Sequence, residues 1–212
     1  NEFKLQFELY NMKIKKTEFI KSSTSIKECP VGNYPEFVFY GRSNVGKSSL
    51  INMITNNQKL SKISSKPGKT QLINHFLINK NFYLVDLPGY GWAKTSKENR
   101  EKWDFMCKKF LIQSKKLALL FLLIDVRLKP QKIDLENINY LGKNDVPINV
   151  IFTKCDKVGK EELKNNIKLF NSELLNSWKN TPDYFISSSI KKIGNDSILD
   201  QINKTIISIN KA

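Results

Sequence analysis

The sequence predicts a three-layer α/β domain, with a mostly parallel twisted sheet, one antiparallel strand and helices on both faces. Three observations point there. Apolar, β-rich runs alternate with amphipathic stretches of helical period. The runs Gln71–Ile78 and Phe82–Asp86 are separated only by Asn79–Asn81, so that pair must be antiparallel, with one strand at or near an edge running backwards. The length, 212 residues, suits a single domain with a full-sized core.

The elements follow in order. Glu36–Tyr40 reads as a strand and Lys47–Thr55 as a helix, then come the two strands just named. Lys97–Ser114 carries Trp103, Met106 and Phe110 at helical spacing, and Leu117–Asp125 is apolar enough for a buried strand. Lys132–Gly142 reads as helix, Val146–Thr153 as strand, Lys160–Trp178 as helix, Tyr184–Ser187 as strand and Ser197–Ile209 as a last helix. Asn56–Thr70 has no periodicity and contains Pro67-Gly68, and loops of that length in a compact domain usually serve function.

Composition narrows the classes. No apolar run is long enough to span a bilayer, and the N-terminal residues show no secretory signal, so no membrane role is expected. Cys29, Cys107 and Cys155 are odd in number and lack metal-ligand spacing, which reads as free thiols in a reducing compartment. The formal charge of +15 favours an anionic partner, although nearly all of it is lysine, with arginine only at 42, 100 and 127.

The chemistry begins where the first long strand ends. Gly41-Arg42-Ser43-Asn44-Val45-Gly46-Lys47-Ser48 lies between a strand and a helix, the context a P-loop requires. Its glycines let the backbone curl and aim successive N–H groups at phosphate oxygens, and the helix start adds its positive dipole end. Lys47 reaches the terminal phosphates and Ser48 offers a hydroxyl to Mg²⁺. The fold class is therefore a P-loop NTPase.

Thr153-Lys154-Cys155-Asp156 ends a second apolar strand and separates GTP from ATP. A carboxylate at 156 accepts hydrogen bonds from guanine N1–H and the 2-amino group, whereas adenine would leave it unpaired. The Lys154 stem is long enough to pack across the base. Asp86-Leu87-Pro88-Gly89 puts a carboxylate at a strand tip, where it holds Mg²⁺ through water, and Gly89 presents an N–H to the γ-phosphate. Thr70 is the candidate second protein ligand of Mg²⁺, reaching the metal only with the γ-phosphate present. Ser187-Ser188-Ser189 supplies backbone N–H groups for guanine O6. The metal set is thus Ser48, Thr70 and Asp86, and the catalytic set Lys47, Thr70 and Gly89.

These motifs, with Lys66-Pro-Gly-Lys-Thr70-Gln, Asp86-Leu-Pro-Gly-Tyr-Gly91 and Ser188-Ser-Ile-Lys-Lys, resemble the EngB family of Ras-like GTPases (also YihA or YsxC). The resemblance runs from about Met12 to the C-terminus, so residues 1–11 read as an N-terminal extension and 12–212 as the G domain. It adds Gly68, Lys69, Gln71 and Leu72 to the candidate nucleotide contacts. It implies a monomeric GTPase of the bacterial cytoplasm, or of an organellar stroma or matrix. The implied role is late assembly of the large ribosomal subunit, with a link to cell division and septation. Cys155 stands where the family usually has a small residue, and Trp92 where it commonly has Tyr or Phe.

Tyr90 occupies the place where Ras-like proteins orient water with a glutamine, so slow intrinsic hydrolysis is expected. Related GTPases with asparagine at position 44 bind K⁺ beside the phosphates, which makes K⁺ a candidate cofactor. Asn44 bracing the loop is the alternative. Lys59, Lys62, Lys66 and Lys69 lie in the first loop, and Lys94, Lys97, Arg100, Lys102, Lys108 and Lys109 follow the second. With Tyr90 and Trp92 among them, they suggest an rRNA- or ribosome-binding face controlled by GTP or GDP. The competing expectation is a division-associated scaffold in which binding outweighs turnover. His75 reads as a structural or surface residue, Arg127 as a partner for a nearby carboxylate, and Trp103 and Trp178 as core.

Overall fold

The computed structural model describes residues 12–57, 60, 72–91 and 96–211. Among these residues seven strands form one sheet in the order β1-β3-β4-β2-β5-β6-β7. They are β1 (Thr17–Ser23), β2 (Glu36–Gly41), β3 (Ile73–Ile78), β4 (Phe82–Asp86), β5 (Leu117–Asp125), β6 (Ile148–Thr153) and β7 (Tyr184–Ile186). Among the described residues the α-helices are α1 (Lys47–Thr55), α2 (Lys97–Gln113), α3 (Lys132–Gly142), α4 (Lys160–Leu175) and α5 (Asn195–Lys211).

Period-two alternation along the strands sorts the core into two layers. Val38 and Tyr40, Leu122 and Ile124, and Val150 and Phe152 face the side covered by α2, α3 and α4, through Phe110, Leu141 and Phe170 among others. Phe37 and Phe39, then Leu119, Phe121 and Leu123, and Ile151 face α1 and α5, where they meet Leu50, Ile54, Ile198 and Ile202. Strands apolar on both faces belong at the centre of a sheet, and β2 and β5 pair there in parallel.

The expected reversed strand is β3, which pairs antiparallel with β4 through the Asn79–Asn81 turn. It is second from the edge. Outside it lies β1, a strand the sequence pattern does not reveal, because Thr17–Ser23 is partly exposed and mixes Glu18 and Lys21 with Phe19 and Ile20. The Asn79 side chain holds the approach to β1: its Oδ1 accepts from Lys15 N (2.8 Å) and Lys16 N (3.0 Å), and its Nδ2 donates to Lys13 O (2.8 Å).

His75 is structural and fully buried, not a surface residue, with Nε2 3.4 Å from the Glu36 carboxylate. Glu36 also accepts from Ser114 Oγ and pairs with Lys116. Trp178 packs against the core and donates Nε1–H to Asn139 Oδ1 (2.6 Å).

The parallel strands β2, β4, β5 and β6 deliver Gly41, Asp86, Asp125 and Thr153 to one edge of the sheet. Ligands of open α/β sheets bind outside the carboxyl ends of the strands, and this edge carries the motifs.

Candidate nucleotide site

The loop between β2 and α1 is shaped by two left-handed residues, Asn44 (φ 64°) and Gly46 (φ 108°). Gly46 is the cap residue of α1, and a side chain there would be strained by the backbone angle alone. Asparagine is among the residues that tolerate the left-handed region, which suits Asn44 to this turn of the loop. Val45 turns inward and is buried, and its carbonyl accepts from Thr153 Oγ1 at 2.7 Å. Lys154 Nζ donates to Asn44 O (2.6 Å) and pairs with Asp125 (2.7 Å), so its stem lies across the loop.

Lys47 Nζ pairs with Asp86 Oδ1. A cleft of about 460 Å³ is lined by Arg42, Ser43, Asn44, Gly46, Lys47, Ser48, Pro88, Gly89, Trp103 and Lys154, among others. Trp103, expected in the core, is instead half-buried on this cleft. Leu87 is buried, and its N–H donates to Phe39 O (3.2 Å). Ser48 lines the cleft and Asp86 pairs with the adjacent Lys47; a hydroxyl and a carboxylate are hard oxygen donors of the kind Mg²⁺ would take together with phosphate oxygens and water.

At the base-recognition end, Asp156 is 7% exposed by side chain, and its Oδ1 accepts from Ser188 Oγ at 2.6 Å. That hydroxyl, followed by its backbone and Lys157, holds the Asp156 carboxyl below the ordinary value against the pull of burial. Ser188 therefore orients the carboxylate through its side chain. The expectation that the whole serine run offers N–H groups to guanine O6 is corrected. Ser187 N donates to Phe152 O (2.8 Å) and Ser188 N to Ile193 O (3.2 Å), so both of these N–H groups are already engaged within the fold. Cys155 is buried under the loop, and its thiol is pushed up by burial and by Asp156.

Tyr90 differs most from expectation. It is 6% exposed, with its ring against Tyr40 (centroids 4.9 Å apart), so it is not available for stacking on a base. Its hydroxyl donates to Asp134 Oδ1 at 2.8 Å, and burial pushes its pKa well above the ordinary value. In the basic cluster, Lys108 pairs with Asp104 and lies over the Tyr140 ring, and Lys102 pairs with Glu98, while Arg100 is exposed. Gly68, Lys69, Thr70, Gln71, Lys59, Lys62, Lys66, Trp92 and Lys94 lie outside the described residues, as does the Lys97 side chain. Leu72 is half-buried just before β3.

Asp125 and Asp134 belong to no motif, and the sequence does not mark them. Asp125 takes the Arg127 fork (Nε 2.9 Å, Nη2 2.7 Å), the pairing expected of Arg127, as well as Lys154. Burial raises its carboxyl, but Arg127 and then Lys154 outweigh burial and bring it down to about 2. A depressed carboxylate stabilises the fold above its unfolded value and loses that contribution as pH falls toward the folded one. The Asp125→Asn variant should therefore show a flatter loss of melting temperature between pH 3.8 and about 2 than the parent. Parallel slopes in thermal melts would refute this.

Fold and site define the class: a Ras-like P-loop GTPase. The profile of the family described as "50S ribosome-binding GTPase" matches residues 36–154. A "Probable GTP-binding protein EngB" of Phocaeicola vulgatus is 49% identical over 201 residues, which is 95% of this chain and 98% of that protein. Its counterpart in Christiangramia forsetii is 49% identical over 90% of this chain and 96% of its own. The chain belongs to the EngB family of GTP-binding proteins. Among solved structures, a probable GTP-binding protein EngB superimposes with a TM-score of 0.65 at 24% identity, covering 82% of this chain and 99% of that one. Aquifex aeolicus Era bound to GDP·AlF₄⁻ gives 0.60 at 19% identity, covering 82% and 57%. These two likenesses show the shared fold.

Proposed function

We propose that this protein is a GTP-dependent switch with slow intrinsic hydrolysis that assists assembly of the large ribosomal subunit. On this reading residues 12–212 form the G domain and 1–11 an extension, and the protein acts as a monomer in the bacterial cytoplasm. Among the described residues no helix is long and apolar enough to cross a membrane. The observation that carries the switch is the gathering of Lys47, Ser48, Asp86 and Gly89 at the carboxyl ends of the strands, and the Ser188-held carboxylate of Asp156 supports a guanine-reading role. Family membership supports the ribosomal partner.

In this reading Lys47 leaves Asp86 for the phosphates. Ser48, Asp86 and Thr70 would hold Mg²⁺, which when bound would neutralise phosphate charge. Tyr90, anchored in the interior, cannot orient water as a glutamine does, so turnover would depend on a partner, and K⁺, if held at the phosphate loop, would supply positive charge there.

The test is co-sedimentation with purified 50S particles. Retention is expected with a non-hydrolysable GTP analogue and release with GDP, together with phosphate release that is faster in K⁺ than in Na⁺. Lys94→Glu combined with Lys97→Glu is expected to weaken retention at least tenfold, each phosphate contact contributing to salt-dependent affinity. Equal retention in both nucleotides overturns the ribosomal switch and favours the division-associated scaffold.

A further inference from the structure

The first turn of α3 holds a carboxylate with no access to solvent. Asp134 is 0% exposed. Both of its oxygens lie 3.0 Å from Nε of Arg42, a residue of the phosphate loop, and Oδ1 also accepts the Tyr90 hydroxyl at 2.8 Å. Three segments far apart in sequence thus share one buried charge. The backbone repeats the connection, with Tyr90 N donating to Gly41 O (3.2 Å) and Ser43 N to Tyr90 O (2.9 Å), which brings 42 and 90 into a parallel bridge.

We propose that Asp134 is a positioning residue that sets the preference for GTP over GDP, by clamping Arg42 and Tyr90 so that Gly89 rests against the phosphate loop. The inference rests on the GTP-switch reading and adds a regulating residue to it.

A buried carboxylate is tolerable only while its partners stay in place, and removing one leaves the charge or a buried hydroxyl unpaired. Tyr90 therefore cannot drift gradually. On this proposal Tyr90 is either docked on Asp134 or displaced, and residues 88–90 act as a two-position element. In the docked position Pro88 and Gly89 line the same cleft as Lys47 and Ser48, with Gly89 packed on Ser43. A γ-phosphate touching Gly89 gains from that position, and GDP, which lacks the γ-phosphate, does not. A ligand shifts such an equilibrium only by its differential affinity for the two positions, so the clamp acts on the ratio of the two affinities.

The experiment compares calorimetric Kd values for GMPPNP and GDP in the full chain, its Tyr90→Phe variant and its Asp134→Asn variant, with a melting curve for each. Tyr90→Phe keeps the ring against Tyr40 and the Arg42 pair but deletes the hydroxyl. It is expected to lower the GMPPNP:GDP affinity ratio about tenfold, with GDP affinity within about twofold, as loss of one charge-assisted hydrogen bond allows. Asp134→Asn is expected to lower the ratio further. If that variant unfolds, Tyr90→Phe decides alone. An unchanged ratio in Tyr90→Phe overturns the proposal and leaves Asp134 as a brace. Failure of the parent to bind either nucleotide would instead remove the underlying GTP reading.

Discussion

Replacing Asp156 with asparagine should lower the affinity for GTP and GDP by ~10³-fold and create measurable binding of XTP and XDP. Guanine offers two donors on one edge, N1–H and the 2-amino group, and a carboxylate meets both as an acceptor. An amide has one acceptor and one donor, so its NH₂ faces the guanine amino group and a buried polar contact is lost. Xanthine carries a carbonyl at that carbon and accepts from the amide. The fold around position 156 should tolerate the change, because Ser188 Oγ, 2.6 Å away, turns its hydroxyl to suit either group. Titration with fluorescent guanine and xanthine nucleotides measures the swap. A variant that still prefers guanine would mean that the base is read elsewhere.

Gly89→Ala should reduce partner-stimulated GTP turnover by ~10²-fold, the scale of loss expected when reacting groups are misplaced by about 1 Å. A Cβ on Gly89 would lie 2.9 Å from Ser43 N and 3.1 Å from both Gly41 O and Ser43 Cα. All three are backbone atoms of the phosphate loop and cannot rotate away, so residues 88–90 must lift off or the loop must shift. The strain should also cost about 1–3 kcal/mol of stability, the usual range for overpacking. Phosphate release in the presence of ribosomal particles, with urea unfolding alongside, separates the two effects. Parent-like turnover in a folded variant would show that close packing of Gly89 is dispensable.

The strand ends and their motifs were legible in the sequence because each is a continuous run: a β-rich stretch, then a turn with a fixed set of residues. Gly41–Ser48, Asp86–Gly89 and Thr153–Asp156 are of this kind. What joins them was not legible. Asp134 meets Arg42 across 92 positions and Tyr90 across 44, and Asp125 meets Lys154 across 29. A lone aspartate at the start of a helix or the end of a strand has many ordinary uses, so nothing in the run of residues singles these two out. Ser188 shows the limit in another way. A serine run in a loop suggested free N–H groups, but an antiparallel bridge to Ile193 takes up one of them and turns the side chain into the useful part. Trp103 has helical spacing suited to a core position, yet its helix carries it to the rim of the cleft. β1 escaped notice because its residues are half polar, as an outermost strand must be.

That outermost strand shields its neighbour. β3 runs against the rest of the sheet and is apolar along most of its length, and with β4 on one flank and β1 on the other its ladder is filled on both sides. A second molecule approaching this border meets a bulged ribbon on which Glu18 and Lys21 flank the exposed Phe19 and Ile20, so charge and the bulge interrupt any apolar template. The Asn79 side chain, by fastening the chain just ahead of β1, thus helps keep copies of the protein from zipping together.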